Sequence, residues 1–202
     1  MKPRLIAYTS ITNDKDPERN DVLSMTGYEK FFSPVMNAKI YKVLAHKFLD
    51  CEISFWMDGN IRPIKPIPEL VEMWLKDNDI ALFRHYKHKN IDWELKMIKR
   101  KFAQNAPVAL EAERQIEYYI KAGLWPDAAD VFMGGVIIRR HTPLVARFNE
   151  AWWAEICCRG QRDQLSLPII IKQFPELKIT RIDENIKRNP YMEYYDHKHY
   201  LS

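Results

Sequence analysis

Short apolar runs alternate with amphipathic stretches along this chain, and that alternation limits its fold more than any other feature. Leu5-Ile6-Ala7-Tyr8, Ile53-Ser54-Phe55-Trp56-Met57, Ile80-Ala81-Leu82-Phe83 and Val131 to Ile138 have the length and the branched or aromatic content of buried strands. The first of them reads as buried on both faces. Between the runs, Asn37 to Leu49 puts Ile40, Val43, Leu44 and Phe48 on one helical face. Pro68-Glu69 opens a helix to Lys76, with proline early and a carboxylate near the positive end. Ile91 to Phe102 and Val108 to Ala122 follow the helical period, and Gly123 suits a left-handed cap after the second. Pro143 to Ile156 and Asp163 to Lys172 read as helices, and Leu177 to Thr180 as a last short strand. Such alternation builds an α/β sheet sandwiched between helices. Thr9 to Gly27 reads as a long polar loop, and Arg181 to Ser202 as a tail of no evident shape.

Composition removes several classes of protein. The 202 residues are 47% hydrophobic and 29% charged, which supports one full core and argues against disorder. Lys plus Arg number 31 against 27 Asp plus Glu, a net +4 too mild for a nucleic-acid binder. Cys51, Cys157 and Cys158 are sparse, odd in number and partly adjacent, so a disulfide framework is not expected. A reducing, cytoplasmic setting is. No apolar run approaches the roughly 20 residues of a membrane span, and Leu5 to Tyr8 is too short for a signal peptide. With no repeat or Gly/Ser-rich linker, residues 1–202 read as a single domain, whole or cut from a longer chain.

In open α/β sheets ligands sit beyond the C-terminal strand ends. Thr9-Ser10, Asp58-Gly59-Asn60 and His85 fall there. The run Phe55-Trp56-Met57-Asp58-Gly59-Asn60 carries a carboxylate to the mouth of a buried strand, then a glycine, then a second oxygen donor. Hard ions such as Mg²⁺ and Mn²⁺ take oxygen ligands, few from protein and the rest from phosphate and water. Asp58 and Asn60 suit that role; Asp-Gly-Asn is equally good turn chemistry. Gly134-Gly135 inside a strand signals either a bulge or the close approach of a ligand to backbone. Arg162-Asp163-Gln164 opens a helix, where Asp163 suits a cap, and the trio equally suits sugar hydroxyls and a phosphate. Lys39 and Lys42, three apart, share a helix face that is either solvated or turned to a diphosphate. No zinc signature, serine-hydrolase elbow or P-loop is present. Trp56, Trp74 and Trp152 read as core; Trp93, Trp125 and Trp153 are freer to meet an acceptor.

The order of these pieces resembles a glycosyltransferase-like family of plant proteins of mucilage and cell-wall synthesis, some of whose members carry the name ceramidase. It is similar, more distantly, to GT-A nucleotide-sugar transferases of the family-eight type. The matching blocks include Ala7-Tyr8-Thr9-Ser10-Ile11, Phe55 to Ile61, Asp79 to His85, Gly134 to His141, Phe148 to Trp153 and Arg162-Asp163-Gln164-Leu165-Ser166. The small format also looks like the glycosyltransferases of large algal viruses, which would place it in a host cytoplasm.

The resemblance implies a single GT-A-like domain with a Rossmann-like, mixed but mostly parallel sheet flanked by helices. It implies a retaining transferase moving a hexose-type sugar from a UDP-sugar to a glycan or glycoprotein acceptor with Mn²⁺ or Mg²⁺. Tyr8, Thr9 and Ser10 would meet the base and ribose, Lys39 and Arg162 the diphosphate, and Gly134 and Gly135 the donor sugar. Asp58 and Asn60 stand where GT-A enzymes carry Asp-Xaa-Asp, with a neutral amide in place of the second acid. His197 or His199 would supply a late metal ligand. Asp163 and Gln164 would face the anomeric carbon, Asp163 as the candidate nucleophile if the route is covalent. Two alternatives remain at this level: a binding module for nucleotide sugars or carbohydrates that has lost catalysis, and a hydrolase.

Overall fold

The computed structural model describes residues 3–12, 16, 18–86, 91–101, 106–124 and 130–195. The chain builds in order β1 (Leu5–Thr9), β2 (Leu23–Ser24), α1 (Pro34–Val43), α2 (Ala45–Phe48), β3 (Ile53–Met57), β4 (Ile61–Pro63), α3 (Ile67–Trp74), β5 (Ile80–Arg84), α4 (Ile91–Lys101), α5 (Ala106–Lys121), β6 (Phe132–Arg140), α6 (Pro143–Arg159), α7 (Asp163–Gln173), β7 (Ile179–Ile182) and β8 (Met192–Tyr194). The main sheet has the order β2-β1-β3-β6-β5-β7, and β4 pairs with β8 in a small second sheet. Neighbouring pairs β1/β2, β1/β3 and β5/β7 are parallel, while β6 runs against both β3 and β5. The result is an α/β sheet with helices on its faces, as the alternation predicts, and mixed but mostly parallel, as the resemblance implies.

Alternation along the central strands divides the core. Tyr8, Trp56, Leu82 and Ile137 point to one face, under α1, α6 and α7. Phe55, Met57, Ala81, Phe83, Val136 and Ile138 point to the other, against α3 and the β4/β8 pair. Both faces are covered, so β3 is buried at every position and its sequence is apolar except at Ser54. A third cluster joins Ile98 of α4 and Ala112, Ile116 and Tyr119 of α5 to Leu165 and Ile169 of α7. It fastens the α4/α5 pair beside the start of α7. Among the described residues no helix is long and apolar enough to cross a membrane.

Several expectations need correction. The helix read over Asn37–Leu49 is two helices with a break at Leu44, where φ is −95° and ψ 37°. The cause lies on another strand. Arg139 of β6 is wholly buried, and its Nη1 donates to the Val43 carbonyl at 3.0 Å and to Asn149 Oδ1 at 2.9 Å. Its Nη2 donates to the Lys42 carbonyl and to the Tyr8 hydroxyl. Carbonyls in the last helical turn lack partners within the helix. A buried guanidinium supplies them here and ends α1. The first strand is only half-buried over Leu5–Ala7, because β2 pairs solely with Tyr8 and Thr9 and leaves that half of the edge open. The long loop contains β2, and the shapeless tail contains β8. Both are two or three residues long, too short for periodicity to register. The last strand of the main sheet starts at Ile179, since Leu177 belongs to a turn in which its amide donates to the Phe174 carbonyl at 3.0 Å.

Replacing Arg139 by leucine leaves the Lys42 and Val43 carbonyls and the Asn149 amide oxygen without these donors. Arg139→Leu is expected to lower stability by about 3 kcal/mol, the order of cost for buried acceptors left unpaired. Urea unfolding followed by tryptophan fluorescence measures it, and an unchanged midpoint would refute the bracing role.

Candidate active site

A cavity of about 530 Å³ opens beyond the C-terminal ends of β1 and β3. Its walls come from Ser10 after β1, Asp58 to Asn60 after β3, the α1 face bearing Lys39 and Lys42, the Gly134-Gly135 segment of β6, and Arg162 to Gln164 at the start of α7. The sequence places all of these near a ligand, and the fold brings them to one cavity.

The two glycines sit in a bulge. Leu82 of β5 pairs with Ile137, yet the next residue, Phe83, pairs with Met133. Gly134, Gly135 and Val136 are therefore excess on the β5 side and bow outward. On the β3 side the ladder continues, with Asp58 N donating to the Gly135 carbonyl at 2.8 Å. A Cβ on Gly134 would stand 2.6 Å from Lys42 Nζ and 3.1 Å from Asp163 Oδ2. The bulge thus lies directly against a cluster of charge that admits no side chain.

That cluster is a buried carboxylate held by two ammonium groups. Asp163 Oδ1 accepts from Lys39 Nζ at 2.8 Å and Oδ2 from Lys42 Nζ at 2.7 Å. Lys39 Nζ also donates to the Gln161 carbonyl at 2.6 Å. Asp163 is 5% exposed. Burial alone would raise its pKa, but the two ammonium charges and their hydrogen bonds override burial and hold it far below the usual carboxylate range. Lys39 is lowered, chiefly by burial, with Asp163 offsetting only part of it. Lys42 also suffers burial, but Asp163 and then Asp58 more than compensate, and its pKa is raised. A carboxylate engaged in this way is a weak base and a weak nucleophile. Asp163 is also not a cap: Arg162 occupies that position, and the Asp163 carboxylate turns to the lysines.

The remaining residues divide. Asp58 is half-buried; its Oδ1 accepts from Trp56 Nε1 at 2.9 Å, and Lys42 Nζ lies 4.0 Å away. Asn60 lines the cavity but is a brace as well: its Nδ2 donates to the Tyr195 carbonyl at 2.8 Å, and Tyr195 N returns a bond to the Asn60 carbonyl at 3.0 Å. Ser10 Oγ and Thr9 Oγ1 are buried without a hydrogen-bond partner among the described residues, and Ser10 faces the cavity. Tyr8 corrects the expectation of a base or ribose contact. It is fully buried, and its hydroxyl donates to the Tyr41 carbonyl at 3.2 Å, because its position in the strand points it into the core.

Arg162 lines the cavity, but its Nη2 is directed to Glu94 Oε1 at 2.9 Å and Gln164 Oε1 at 2.7 Å rather than kept open for phosphate. Glu94 was not evident in the sequence. It is one charge among many on α4, and only the packing of α4 beside α7 buries it here. Asp16, whose Oδ2 would lie 3.2 Å from a Cβ on Gly59, was equally hidden in a polar loop. His197, His199 and Trp125 lie outside the described residues. Trp93 is exposed, whereas Trp153 is half-buried with its ring centroid 5.8 Å from that of Phe31.

For a divalent cation, the donor set offers the open carboxylate of Asp58 and the amide oxygen of Asn60. No group of three or more His, Cys, Asp or Glu able to hold a metal comes together among the described residues. Mg²⁺ and Mn²⁺ need few protein ligands when phosphate and water complete the sphere, so this set is compatible with such an ion. The charge balance points the same way. Asp16, Asp58, Glu111 and Asp163 line the cavity against Lys39, Lys42 and Arg162, leaving one negative charge in excess.

These features form one charge-lined cavity at the strand ends of an α/β scaffold, and comparisons with known proteins give the family. Residues 25–197 match the TOD1/MUCI70 glycosyltransferase-like domain, and the chain belongs to that family. It is 30% identical over 146 residues to the probable hexosyltransferase MUCI70 of Arabidopsis thaliana, a match covering 66% of this chain and 24% of that protein. The chain thus spans about a quarter of the length of this relative. Its fold is similar, with a TM-score of 0.53 and 10% identity, to a glycosyltransferase involved in glycosylation of the major capsid of PBCV-1. That likeness covers 98% of this chain and 96% of the other, and it identifies the architecture as that of the GT-A glycosyltransferases.

Asp163→Asn leaves two buried ammonium groups facing a neutral amide. It is expected to cost about 3 kcal/mol near pH 7, the order of a buried ion pair deprived of one partner. Because the folded pKa of Asp163 is depressed, its stabilisation is complete above the unfolded value of about 4 and is lost as pH falls below it. The wild-type urea midpoint should therefore fall between about pH 4 and pH 2, and the slope of Asp163→Asn over that range should be shallower. Equal slopes would remove Asp163 as the source.

Proposed function

We propose that this chain transfers a hexose from a nucleoside diphosphate sugar, with UDP as the nucleotide, to a glycan acceptor, with retention at the anomeric carbon. One observation carries the reading: paired ammonium groups lie against a side-chain-free bulge, beside the open carboxylate of Asp58. Positive groups fixed where a diphosphate departs offset the charge that develops on it. Lys39 and Lys42 suit that role, and Asp163 keeps both in place before the donor arrives. The bare backbone at Gly134 lets the Lys42 and Asp163 pair close directly onto the bulge, and the Gln164 carboxamide, held by Arg162, suits the hydroxyls of a sugar ring.

Asp58 and the Asn60 oxygen would hold Mn²⁺ or Mg²⁺, which supplies Lewis-acid charge toward the leaving diphosphate when bound. The excess negative charge of the cavity supports that requirement, since a dianionic diphosphate would otherwise meet net repulsion. Tyr195, bonded to Asn60, is two residues before His197 in the chain, which keeps a late histidine ligand within the proposal. The doubly paired state of Asp163 favours front-face departure of the diphosphate over a covalent glycosyl-enzyme. Asp163 then orients cations and makes no bond to carbon.

Titration with UDP, GDP and their sugars, each with and without Mn²⁺, tests the reading. A nucleotide at 100 times its dissociation constant should stabilise the fold by about 2.7 kcal/mol, visible as a thermal shift. Asp58→Ala should abolish the Mn²⁺-dependent part while its own unfolding stays cooperative. Gly134→Ala should weaken nucleotide-sugar binding at least tenfold by displacing Lys42. Stabilisation without donor consumption across varied acceptors would favour a binding module, and no response to any nucleotide would overturn the reading.

A further inference from the structure

A second depression of about 530 Å³ lies between α5 and the C-terminal end of α6, outside the cavity described above. One wall carries Leu110, Arg114 and Tyr118, successive i, i+4 positions on α5. Glu111 and Gln115 form the adjacent row, and Arg159 of α6 faces them. We propose that this groove is a glycan subsite that holds the outer sugars of an oligosaccharide acceptor whose reacting end enters the donor cavity. The inference rests on the transferase reading and names the class of acceptor.

Three observations support it. The first is chemical. Leu110 and Tyr118 are exposed apolar surface, 48% and 36% respectively, set among the planar polar groups of Glu111, Arg114, Gln115 and Arg159. A sugar ring presents apolar C–H faces and pairs of hydroxyls at its edge, and it matches such a mixture. Both walls are helices, so an extended peptide finds no strand edge to join.

The second is an unpartnered group on the lining. Gln115 is 1% exposed; its Nε2 donates to the Tyr119 hydroxyl at 2.8 Å, while its Oε1 has no hydrogen-bond partner among the described residues. Arg159 Nε also lacks a hydrogen bond and is only ion-paired, at 3.9 Å, with Glu155 Oε1, while the Arg159 guanidinium carbon stacks 3.5 Å from the Tyr118 ring centroid. Buried polar atoms are normally paired, and hydroxyls of a ligand would complete these. A Cβ on Gly160 would stand 2.8 Å from Gln115 Oε1, so glycine is what lets the chain pass this close to the amide oxygen.

The third is continuity. Glu111 lines both the groove and the donor cavity. Gln161 N donates to Glu111 Oε2 at 3.4 Å, and the Gln161 carbonyl accepts from Lys39. A ligand lying along α5 therefore ends beside the ammonium pair that the donor diphosphate would use.

The test uses the full chain and fluorescent oligosaccharides of two to six units on a glycan array, with nucleotide titration run in parallel. The wild type should bind a subset of oligosaccharides. Arg114→Ala combined with Tyr118→Ala should weaken those at least tenfold, and Tyr118→Phe, which keeps the ring, should retain them. Nucleotide affinity should stay within twofold in each variant, and an unchanged cooperative thermal transition reports that each variant is folded. No oligosaccharide bound by the wild type, or equal binding by the double variant, would overturn the subsite. Glycan binding that depends on Arg114 and Tyr118 while no nucleotide binds would uphold the groove and refute the transferase reading, so the two failures are distinguishable.

Discussion

Arg139 is the residue on which the site most depends, although it never touches the cavity. Its guanidinium reaches from the central antiparallel strand to the last carbonyls of α1, to Asn149 of α6 and to the hydroxyl of Tyr8. A positive group is favourable at a helix C-terminus, and more so in a dry interior. Arg139 thereby fixes where α1 stops and how it is rotated above the sheet. Lys39 and Lys42 project from that helix, so the position of both ammonium groups follows from a contact on the far side of Lys42. Burial lowers the pKa of Arg139 from its ordinary value, and the Tyr8 hydroxyl beside it works the other way.

A second constraint is the economy of charge around Asp163. Two ammonium groups, one carboxylate and a bare glycine are compressed into a space that excludes a methyl group. Two lysines so close would repel, and burial would discharge one of them. The carboxylate between them resolves both problems and leaves Lys42 the more firmly charged. Gly134 belongs to this arrangement as much as the charged groups do. Its bulge brings backbone where any side chain would push Lys42 away. Glu94 and Arg162 repeat the device beside it, with a buried acid on α4 setting a guanidinium that in turn sets Gln164.

The residues that proved hard to place in the sequence share a physical character. Tyr8 stood next to Thr9 and Ser10 in a promising block, yet strand alternation sends its ring into the core. Glu94 and Asp16 had no distinguishing spacing, since their roles arise from contacts between elements far apart in the chain. The strands β2, β4 and β8 are too short to carry a period of two, and pairing partners alone create them. The break at Leu44 has no local breaker residue; Arg139, 95 positions later, causes it.

The α/β class, the central strands and most helix spans were legible in the amino-acid order, because apolar periodicity reports which face of each element must leave water. That order also carried the loci of the site: Asp58 at a strand mouth, the Gly134-Gly135 interruption, the Lys39/Lys42 face and Arg162 to Gln164. How those loci combine depends on packing between distant elements. The pairing of Asp163 with both lysines, the burial of Glu94, the bracing of Asn60 by Tyr195 and the sharing of Glu111 between two cavities all join residues distant in sequence. Their energies depend on separations of a few ångströms and on local dielectric, quantities that a one-dimensional pattern does not contain.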